Sequence, residues 1–282
     1  MKRNVKFFTN CKKNGERFSV LTAYDYPTAK LVEEAGIDMI ILGDSVGTNV
    51  LGYANETEVT LDDMLHHSKA VRRGIQDTFL VVDLPYGTYR STEAAVLNAK
   101  KLIDAGADAI KFEGINIDVL RAIKKELIPV VCHIGLNPQH EQDKMRSGKI
   151  SKGKTLSEAT ELIAGAMRLS EEGADLLVVE KVPLLVSKLI TENISIPTIG
   201  IGSGSYCDGQ VLIIYDLLNI SEKRYKHVPK YIDVKKEIID TMKIYEHEIK
   251  NGIFPAVEHS NKIEPSEYEQ VEKWCKEHSL KI

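Results

Sequence analysis

The 282-residue chain has few cysteines and no long apolar run. Its four cysteines, Cys11, Cys132, Cys207 and Cys275, are far apart and form no C-x-x-C pair. This spacing excludes a zinc ribbon or a dithiol redox motif and favours a reducing compartment. No stretch approaches the roughly 18 apolar residues of a membrane span, and the start MKRNVKFFTN has no apolar signal-peptide core. We therefore expect a cytoplasmic protein without a membrane partner.

A strong charge of one sign is also missing. The 37 lysines and arginines against 41 aspartates and glutamates give a net charge of −4, and no basic block occurs. This balance disfavours a nucleic-acid partner. With 43% hydrophobic residues, the chain is long enough to bury a sizeable core, which excludes disordered, collagen-like and disulfide-scaffold classes.

The sequence does contain a regular alternation of short β-branched runs and longer amphipathic stretches over residues 18–218. Eight runs are strand candidates: FSVLTAY, MIILGD, FLVVDLP, AIKFEG, PVVCHIG, LLVVEKV, PTIGIGSG and QVLIIYDLL. Continuous apolar runs are typical of parallel strands that helices cover on their faces. The pattern predicts an α/β fold, a (β/α)8 TIM barrel, with an open doubly wound sheet as the alternative. The eighth run fits a strand, an apolar helix, or both.

No linker divides this pattern, so we predict one barrel domain over residues 1–260. Residues 261–282 form a polar tail with a possible helix around Trp274.

Three helix ends share one connection: a glycine, a small or β-branched residue, an aspartate and then an apolar strand. The glycines are Gly36, Gly106 and Gly173. We predict that each adopts a positive φ, as glycines that end helices do. An acid follows each glycine after seven or eight residues: Asp44, Glu113 and Glu180. Reuse of one structural connection would explain the repeated glycines, but it would not explain why an acid follows each apolar strand.

Polar side chains stand at the ends of the predicted strands, and in a TIM barrel the carboxyl ends of the strands carry the active site. These side chains are Asp44, Ser45, Asp83, Lys111, Glu113, His133, Glu180 and Lys181. A single acid at such a position is more often a helix cap or a salt-bridge partner. Four acids with lysine and histidine at one rim indicate an active site.

Carboxylate oxygens without cysteine or paired histidine favour Mg²⁺ over zinc. We predict Asp44 and Asp83 as ligands, with Glu113 bound directly or through water. Such an ion can chelate the ketone and carboxylate oxygens of a 2-oxo acid and stabilise its enolate. Lys111 lies two residues before Glu113, on the same face of the strand, where it contacts either substrate or a neighbouring acid.

Two glycine-rich segments resemble nucleotide-binding motifs. Residues 148–155, GKISKGKT, match G-x-x-x-x-G-K-[ST], but the upstream HEQDKMRS is polar and a P-loop requires a buried strand there. We predict instead a mobile, charged loop over residues 139–154 at the barrel mouth and a capping box of Thr155 and Glu158. The segment PTIGIGSGSYCDG has no acidic ribose partner at the expected distance, so it is not a dinucleotide fingerprint.

Ten segments between about residues 17 and 260 are similar to one known family: LTAYDYPTAKL, ILGDSVG, HHSKAVRRG, VVDLPYGTY, IKFEG, HIGLNPQ, IPTIGIGSG, CDGQVL, HVPKY and GIFPAVEHS. The sequence resembles the ketopantoate hydroxymethyltransferase (3-methyl-2-oxobutanoate hydroxymethyltransferase) family of pantothenate and coenzyme A biosynthesis. The resemblance implies a TIM barrel of the phosphoenolpyruvate/pyruvate type that assembles as a homo-oligomer, commonly a decamer.

The resemblance also implies a reaction: transfer of a one-carbon unit from 5,10-methylenetetrahydrofolate to 3-methyl-2-oxobutanoate, which gives 2-dehydropantoate through a metal-stabilised enolate. Mg²⁺ would bind Asp44 and Asp83, with Glu113 in the outer coordination. The implied substrate contacts are Asp44, Ser45, Asp83 and Lys111, with His133 nearby. Glu180 aligns with the proton acceptor, and a partly desolvated carboxylate at the end of an apolar strand suits that role. Alternatively, Glu180 orients Lys181 or a water.

Two segments differ from the family pattern where a lid or the second substrate would bind. The charged HEQDKMRSGKISKGKT replaces a glycine-rich apolar segment, and Tyr215 stands where the family tends to have histidine. The alternative enzyme is a lyase or aldol-type enzyme of the same superfamily acting on another 2-oxo acid. A non-enzymatic sensing or structural barrel would have lost at least one of the acids, and all are present.

Overall fold

The computed structural model describes residues 2–140, 152–222 and 224–281. The chain forms two compact units, residues 1–232 and residues 233–282. The predicted domain boundary after residue 260 stays a prediction. Residues 141–151 of the predicted charged loop, and with them half of the P-loop-like segment, lie outside the described residues.

The first unit is built on eight parallel strands that close into a barrel in sequence order. The strands are β1 Phe18–Thr22, β2 Met39–Leu42, β3 Phe79–Asp83, β4 Ala109–Glu113, β5 Val130–Gly135, β6 Leu176–Glu180, β7 Thr198–Ile201 and β8 Gly209–Leu212. The predicted TIM barrel is confirmed. The open-sheet alternative is wrong, because β1 pairs with β8 and places Val20 beside Val211.

Helices follow strands β1 to β6 and strand β8, whereas residues 202–208 join β7 to β8 without a helix. The first unit contains α1 Val5–Asn14, α2 Tyr26–Glu34, α3 Leu61–Gly74, α4 Thr92–Asp104, α5 Ile117–Lys125, α6 Leu156–Glu171, α7 Leu184–Asn193 and the one-turn α8 Ile214–Leu217. The second unit contains α9 Val234–Lys250 and α10 Pro265–Glu277, which includes Trp274. The eighth apolar run thus holds both a strand and a short helix. In the described part of the chain, no helix is long and apolar enough to cross a membrane.

Successive residues of each strand face opposite sides, and this alternation divides the core into two layers. Val81 and Val131 belong to the cluster inside the barrel. Their neighbours Leu80 and Val130 pack in the layer between strands and helices. Helix α1 closes the amino-terminal end, because the fully buried Phe8 ring contacts the ring of Phe18 at a centroid distance of 5.0 Å. The opposite end of the barrel remains available for polar groups.

The three repeated glycines behave as the sequence predicts. Gly36, Gly106 and Gly173 have φ values of +74°, +106° and +95°. In this left-handed region a Cβ atom is disfavoured, so glycine allows the chain to leave each helix and enter the next strand.

The predicted capping box at the start of α6 forms in part. Thr155 Oγ1 accepts a hydrogen bond from the backbone N–H of Glu158 at 3.3 Å. The Glu158 carboxylate accepts the N–H groups of Gly153 and Lys154 at 3.2 and 3.0 Å, so it binds the chain just upstream of the cap.

Candidate active site

The strand alternation places five polar side chains on the inner wall of the barrel. In each strand they continue the inward-facing series, as Asp83 follows Val81 and His133 follows Val131. The five are Asp83, Lys111, Glu113, His133 and Glu180. Asp83, Glu113 and Glu180 are the last residues of their strands, and Lys111 and His133 lie two residues before the ends of theirs. The carboxyl end is the end that carries the chemistry in TIM-barrel enzymes. The inner wall is therefore apolar at one end and ionisable at the other.

Asp83 and Lys111 form a buried ion pair. Lys111 Nζ lies 2.6 Å from Asp83 Oδ2, and both side chains are less than a tenth exposed. The same oxygen lies 3.4 Å from the backbone nitrogen of Asp44, which donates to it. Of the two sequence-based alternatives for Lys111, the structure therefore shows the contact with an acid. The pair fixes Asp83 beside the loop that follows β2.

Gln139 joins the acids into one network. Its side-chain amide donates to Asp44 Oδ2 at 2.7 Å, and its backbone N–H donates to Glu113 Oε2 at 3.0 Å. Its amide oxygen accepts from the hydroxyl of Tyr89. Gln139 is buried and follows β5, so this loop residue holds two carboxylates in place. The sequence analysis missed Gln139 and Tyr89, because loop positions carry no periodic signal.

His133 lies between two carboxylates. Its Nδ1 is 3.7 Å from Glu113 Oε1, and its Nε2 is 3.3 Å from Glu180 Oε2. Both ring nitrogens are buried, and neither makes a well-aligned hydrogen bond in the described part of the chain. Burial lowers the pKa of His133, although Glu180 opposes this shift. Burial therefore favours the neutral imidazole, which lies between the base candidate Glu180 and Glu113.

The buried charges shift the ionisation of the site strongly. Burial, followed by repulsion from Asp83, raises the pKa of Asp44 to about 7. Burial and the charge of Asp44 raise the pKa of Glu113 well above its usual range. Burial alone would lower the pKa of Lys111, but the carboxylates of Asp83, Asp44 and Glu113 outweigh it and raise that pKa. Several clustered carboxylates with raised pKa values lie near a single lysine. This excess of acidic groups indicates a site that binds additional positive charge.

The acid pair fits a divalent cation. Asp83 Oδ1 is buried and has no hydrogen-bond partner among the described residues. In the same described part, no three His, Cys, Asp or Glu side chains gather closely enough to hold an ion unaided. Mg²⁺ is often bound by one or two carboxylates, with water and substrate completing its shell. Asp44 and Asp83 can fill that role.

Ser45 and Tyr215 form a separate group at the mouth. Ser45 Oγ lies 2.9 Å from the hydroxyl of Tyr24, a buried residue that sequence reasoning did not identify. Tyr215 stacks on Tyr24 with a centroid distance of 5.7 Å and an interplanar angle of 25°. Tyr215 thus supports the tyrosine that positions Ser45.

The side chains of Lys181 and its neighbour Glu180 contact different residues. Its Nζ lies 2.9 Å from His227 Nδ1 and 5.2 Å from the centre of the Tyr225 ring. Burial lowers the pKa of Lys181, although Glu180 and Asp216 oppose this shift. This contact with His227 gives no support to the alternative in which Glu180 orients Lys181.

Comparison with known proteins identifies the relatives of this chain. The family model described as ketopantoate hydroxymethyltransferase matches residues 2–257. A 3-methyl-2-oxobutanoate hydroxymethyltransferase of Clostridium novyi (strain NT) is 44% identical over 271 residues, covering 94% of this chain and 98% of the relative.

Solved structures show the same fold at low identity. A phosphonopyruvate hydrolase in complex with oxalate and Mg²⁺ aligns with a TM-score of 0.60 and 12% identity, over 91% of this chain and 93% of that one. A 2,3-dimethylmalate lyase, described as a PEP mutase/isocitrate lyase superfamily member, aligns with a TM-score of 0.58 and 13% identity, over 99% of each chain. These likenesses show that the barrel fold recurs in solved structures. The family match and the close relative confirm the resemblance seen in the sequence: this enzyme belongs to the ketopantoate hydroxymethyltransferase family.

Proposed function

We propose that the enzyme transfers a hydroxymethyl group from 5,10-methylenetetrahydrofolate to 3-methyl-2-oxobutanoate and gives 2-dehydropantoate. The name of its relatives supports the reaction, and one observation carries the proposal. One end of the barrel presents Asp83 beside the backbone of Asp44, Lys111 paired with Asp83, and a third acid, Glu180, beside His133. We also propose that the enzyme is cytoplasmic and forms a homo-oligomer, such as a decamer, which analytical ultracentrifugation can test.

Asp44 and Asp83 would hold Mg²⁺, and Glu113 would contact it through water. When bound, the ion supplies Lewis-acid polarisation of the substrate ketone. The related fold of the phosphonopyruvate hydrolase, solved with oxalate and Mg²⁺, supports this assignment. Lys111 and Ser45 complete the proposed contacts to the 2-oxo acid. Lys111 is fixed by its 2.6 Å ion pair with Asp83, so its ammonium group keeps one position beside the substrate carboxylate.

Glu180 is the proposed base. It removes the proton from the carbon adjacent to the ketone, and its partly exposed carboxylate is open to substrate while His133 Nε2 lies 3.3 Å away. Because the imidazole is neutral, it can donate its single N–H towards Glu180 and orient it. The resulting enolate carbon forms a bond to the methylene carbon of the donor as the bond from that carbon to N10 breaks, and N10 takes the proton that Glu180 removed. Water then replaces N5 on the same carbon, so its oxygen becomes the hydroxyl group, its proton passes to N5, and tetrahydrofolate leaves.

The assay for the base is deuterium exchange into 3-methyl-2-oxobutanoate with Mg²⁺ present. Glu180→Gln should slow the exchange by about 100-fold or more, since a positioned base contributes that much, while the Kd of the 2-oxo acid changes little. Glu192→Gln on α7 is the control, because Glu192 is exposed and lies 3.8 Å from Lys188, outside the barrel mouth. Unchanged exchange in Glu180→Gln would remove Glu180 from this role.

The same assay tests the donor. Exchange should depend on Mg²⁺, and subsequent addition of 5,10-methylenetetrahydrofolate should give 2-dehydropantoate. Exchange without this product would support enolisation but would overturn the folate assignment. The alternative would then be a lyase or aldol-type enzyme that acts on another 2-oxo acid.

A further inference from the structure

Lys181 directly follows the proposed base Glu180, and its backbone is unusual. Its φ is +52°, in the left-handed region that a residue with a Cβ atom rarely adopts. Its N–H donates to the carbonyl oxygen of Ile201 at 2.9 Å, which fixes this turn against the end of β7. Such strain persists where surrounding contacts hold it, and it concentrates at functional sites. The contacts of the Lys181 side chain indicate what the turn is for.

The Lys181 side chain crosses the neighbouring strand end over a glycine. A Cβ atom at Gly202 would lie 2.9 Å from Lys181 Cδ and 3.4 Å from its Nζ, so the absence of a side chain there makes room for the lysine. Gly202 begins residues 202–208, which join β7 to β8 without a helix. The lysine can therefore extend from the end of β6 across the end of β7.

The ammonium group of Lys181 contacts a segment that follows helix α8. We call residues 224–230 the mouth segment; the structure describes all of them, and they form neither helix nor strand. Lys181 Nζ lies 2.9 Å from His227 Nδ1, which accepts because an ammonium group only donates. It also lies 5.2 Å from the centre of the Tyr225 ring, a cation–π contact. The two rings are 5.6 Å apart between their centres, so one lysine holds both.

The mouth segment lies beside the proposed base. Burial raises the pKa of Tyr225, and the charge of Glu180 adds to this shift. Burial lowers the pKa of His227, and Glu180 opposes this shift. Both rings are thus close enough to Glu180 to be affected by its charge. Inside the barrel the Glu180 carboxylate meets His133, so the 16% of its side chain that is exposed faces the mouth and this segment.

We propose that Lys181 is a positioning residue that holds the mouth segment over Glu180 and so shields the enolate from bulk water. This rests on the proposed function, in which the enolate either attacks the donor or takes a proton back from Glu180. In D2O, Glu180 can return deuterium only after its carboxyl group has exchanged with water. A closed mouth therefore favours product, and an open one favours exchange.

The first test counts the deuterium that enters the remaining 3-methyl-2-oxobutanoate for each 2-dehydropantoate formed, in D2O with Mg²⁺ and 5,10-methylenetetrahydrofolate. Lys181→Met removes the ammonium group and should raise this ratio about tenfold, since a hydrogen bond from a charged group is lost. His227→Phe keeps a ring without the acceptor and should raise the ratio too. Lys188→Met is the matched control, because Lys188 on α7 also lies 5.2 Å from the centre of a tyrosine ring, that of Tyr206, and should leave the ratio unchanged.

The ratio separates shielding from other roles of Lys181. A substitution that merely loosened the fold would slow product formation and exchange together. An unchanged ratio in Lys181→Met would therefore overturn the proposal. Loss of exchange in this variant without any donor would also overturn it, because Lys181 would then act in the enolisation step itself.

Limited digestion with trypsin examines the mouth segment without any substrate. Arg224 and Lys226 are exposed cleavage sites within it. Lys181→Met should increase cleavage after both residues several-fold, because proteolysis follows the population of the locally opened state. Cleavage after Lys262, in the second unit, should stay the same and serves as the internal control.

The digestion also separates this proposal from the proposed function. Equal cleavage of Lys181→Met and the unmodified enzyme would overturn the role of Lys181, even if the enzyme formed 2-dehydropantoate normally. An unmodified enzyme that exchanged no deuterium would overturn the proposed function and the shielding of an enolate with it, whereas the cleavage pattern would still decide whether Lys181 holds the mouth segment.

Discussion

At the scale of single residues, the acids at the rim could be predicted because two simple signals coincide. Each of Asp83, Glu113 and Glu180 ends an apolar strand, and each has the parity that faces the barrel interior. Gln139 and Tyr89 have neither signal. Their positions depend on how loops fold back over the barrel mouth, which no periodicity in the sequence encodes. Prediction from sequence therefore recovers the inner wall of the site but misses the loop residues at the barrel mouth that contact the acids.

Gln139 is a positioning residue whose effect can be measured through pH. Gln139→Leu removes the 2.7 Å hydrogen bond to Asp44 and should raise the pKa of that carboxyl above its value of about 7. A higher pKa leaves more Asp44 protonated at pH 7, so Mg²⁺-dependent deuterium exchange should fall about tenfold there, since a hydrogen bond to a charged group contributes about 1.5–3 kcal/mol.

The pH profile distinguishes positioning from simple damage. Exchange by Gln139→Leu should recover towards the unmodified rate at pH 8 to 9, where Asp44 is again ionised. Gln270→Leu on the exposed face of α10 is the control. An equal loss at pH 7 and at pH 9 would show that Gln139 acts only through packing.

At the scale of elements, the first six strands and the helices that follow them agree with the predicted alternation of apolar runs and amphipathic stretches. The last part of the barrel does not, because β7 runs to β8 through residues 202–208 without a helix and the run QVLIIYDLL holds both a strand and a one-turn helix. The strand ends at Leu212, and Ile214 N donates to Thr22 Oγ1 at 3.0 Å as the short helix begins. That contact comes from β1, far away in sequence, so local pattern alone could not separate the strand from the helix.

The amino-terminal end of the barrel gives a prediction that does not involve the active site. Glu33 of α2 accepts the backbone N–H groups of Gln76, Asp77 and Thr78 at 3.1, 2.8 and 3.0 Å and so fixes the loop between α3 and β3. Burial would raise the pKa of Glu33, but these hydrogen bonds and that of the Thr78 hydroxyl outweigh it and lower the pKa to about 2.

A lowered pKa in the folded state makes the contribution of Glu33 depend on pH. It is complete above the unfolded value of 4.5 and is lost as pH falls towards about 2. Glu33→Gln should therefore lower the free energy of unfolding at pH 7 by about 1–2 kcal/mol, a figure discounted for partial solvent screening. Urea unfolding should show this difference at pH 7 and a smaller one at pH 3. Glu34→Gln, with an exposed side chain 4.0 Å from Lys30, is the control. A difference of equal size at both pH values would contradict the hydrogen-bond account.

At the scale of the whole molecule, the barrel separates stability from function along its axis. The amino-terminal end is closed by Phe8 and its aromatic neighbours, while the carboxyl end buries acids that Lys111 only partly neutralises. The net charge of −4 therefore understates the electrostatic cost of folding, because part of the acidic excess is buried rather than solvated. The buried acids that serve function at this end should therefore lower the stability of the metal-free protein, and this effect can be measured.

Asp44→Asn tests whether a group needed for function lowers stability, because the ionised carboxyl group of Asp44 is unfavourable in the metal-free protein. The folded-state pKa of Asp44 lies near 7 instead of 3.8, so its ionised form destabilises the fold at neutral and higher pH. In EDTA at pH 8, Asp44→Asn should raise Tm by a few degrees. In the unmodified enzyme, Mg²⁺ at 100 times its Kd should stabilise by about 2.7 kcal/mol, or about 5 °C, and the variant should lose this response.

The two effects have opposite signs, which makes the result specific to a cation site. A substitution that merely loosened the fold would lower Tm in EDTA, and a purely structural aspartate would leave the Mg²⁺ response intact. Asp62→Asn, on the exposed face of α3 and outside the acid network, should change neither quantity. If Asp44→Asn still gained the full increment in Tm from Mg²⁺, the ion would bind elsewhere and the buried acids at the rim would need another explanation.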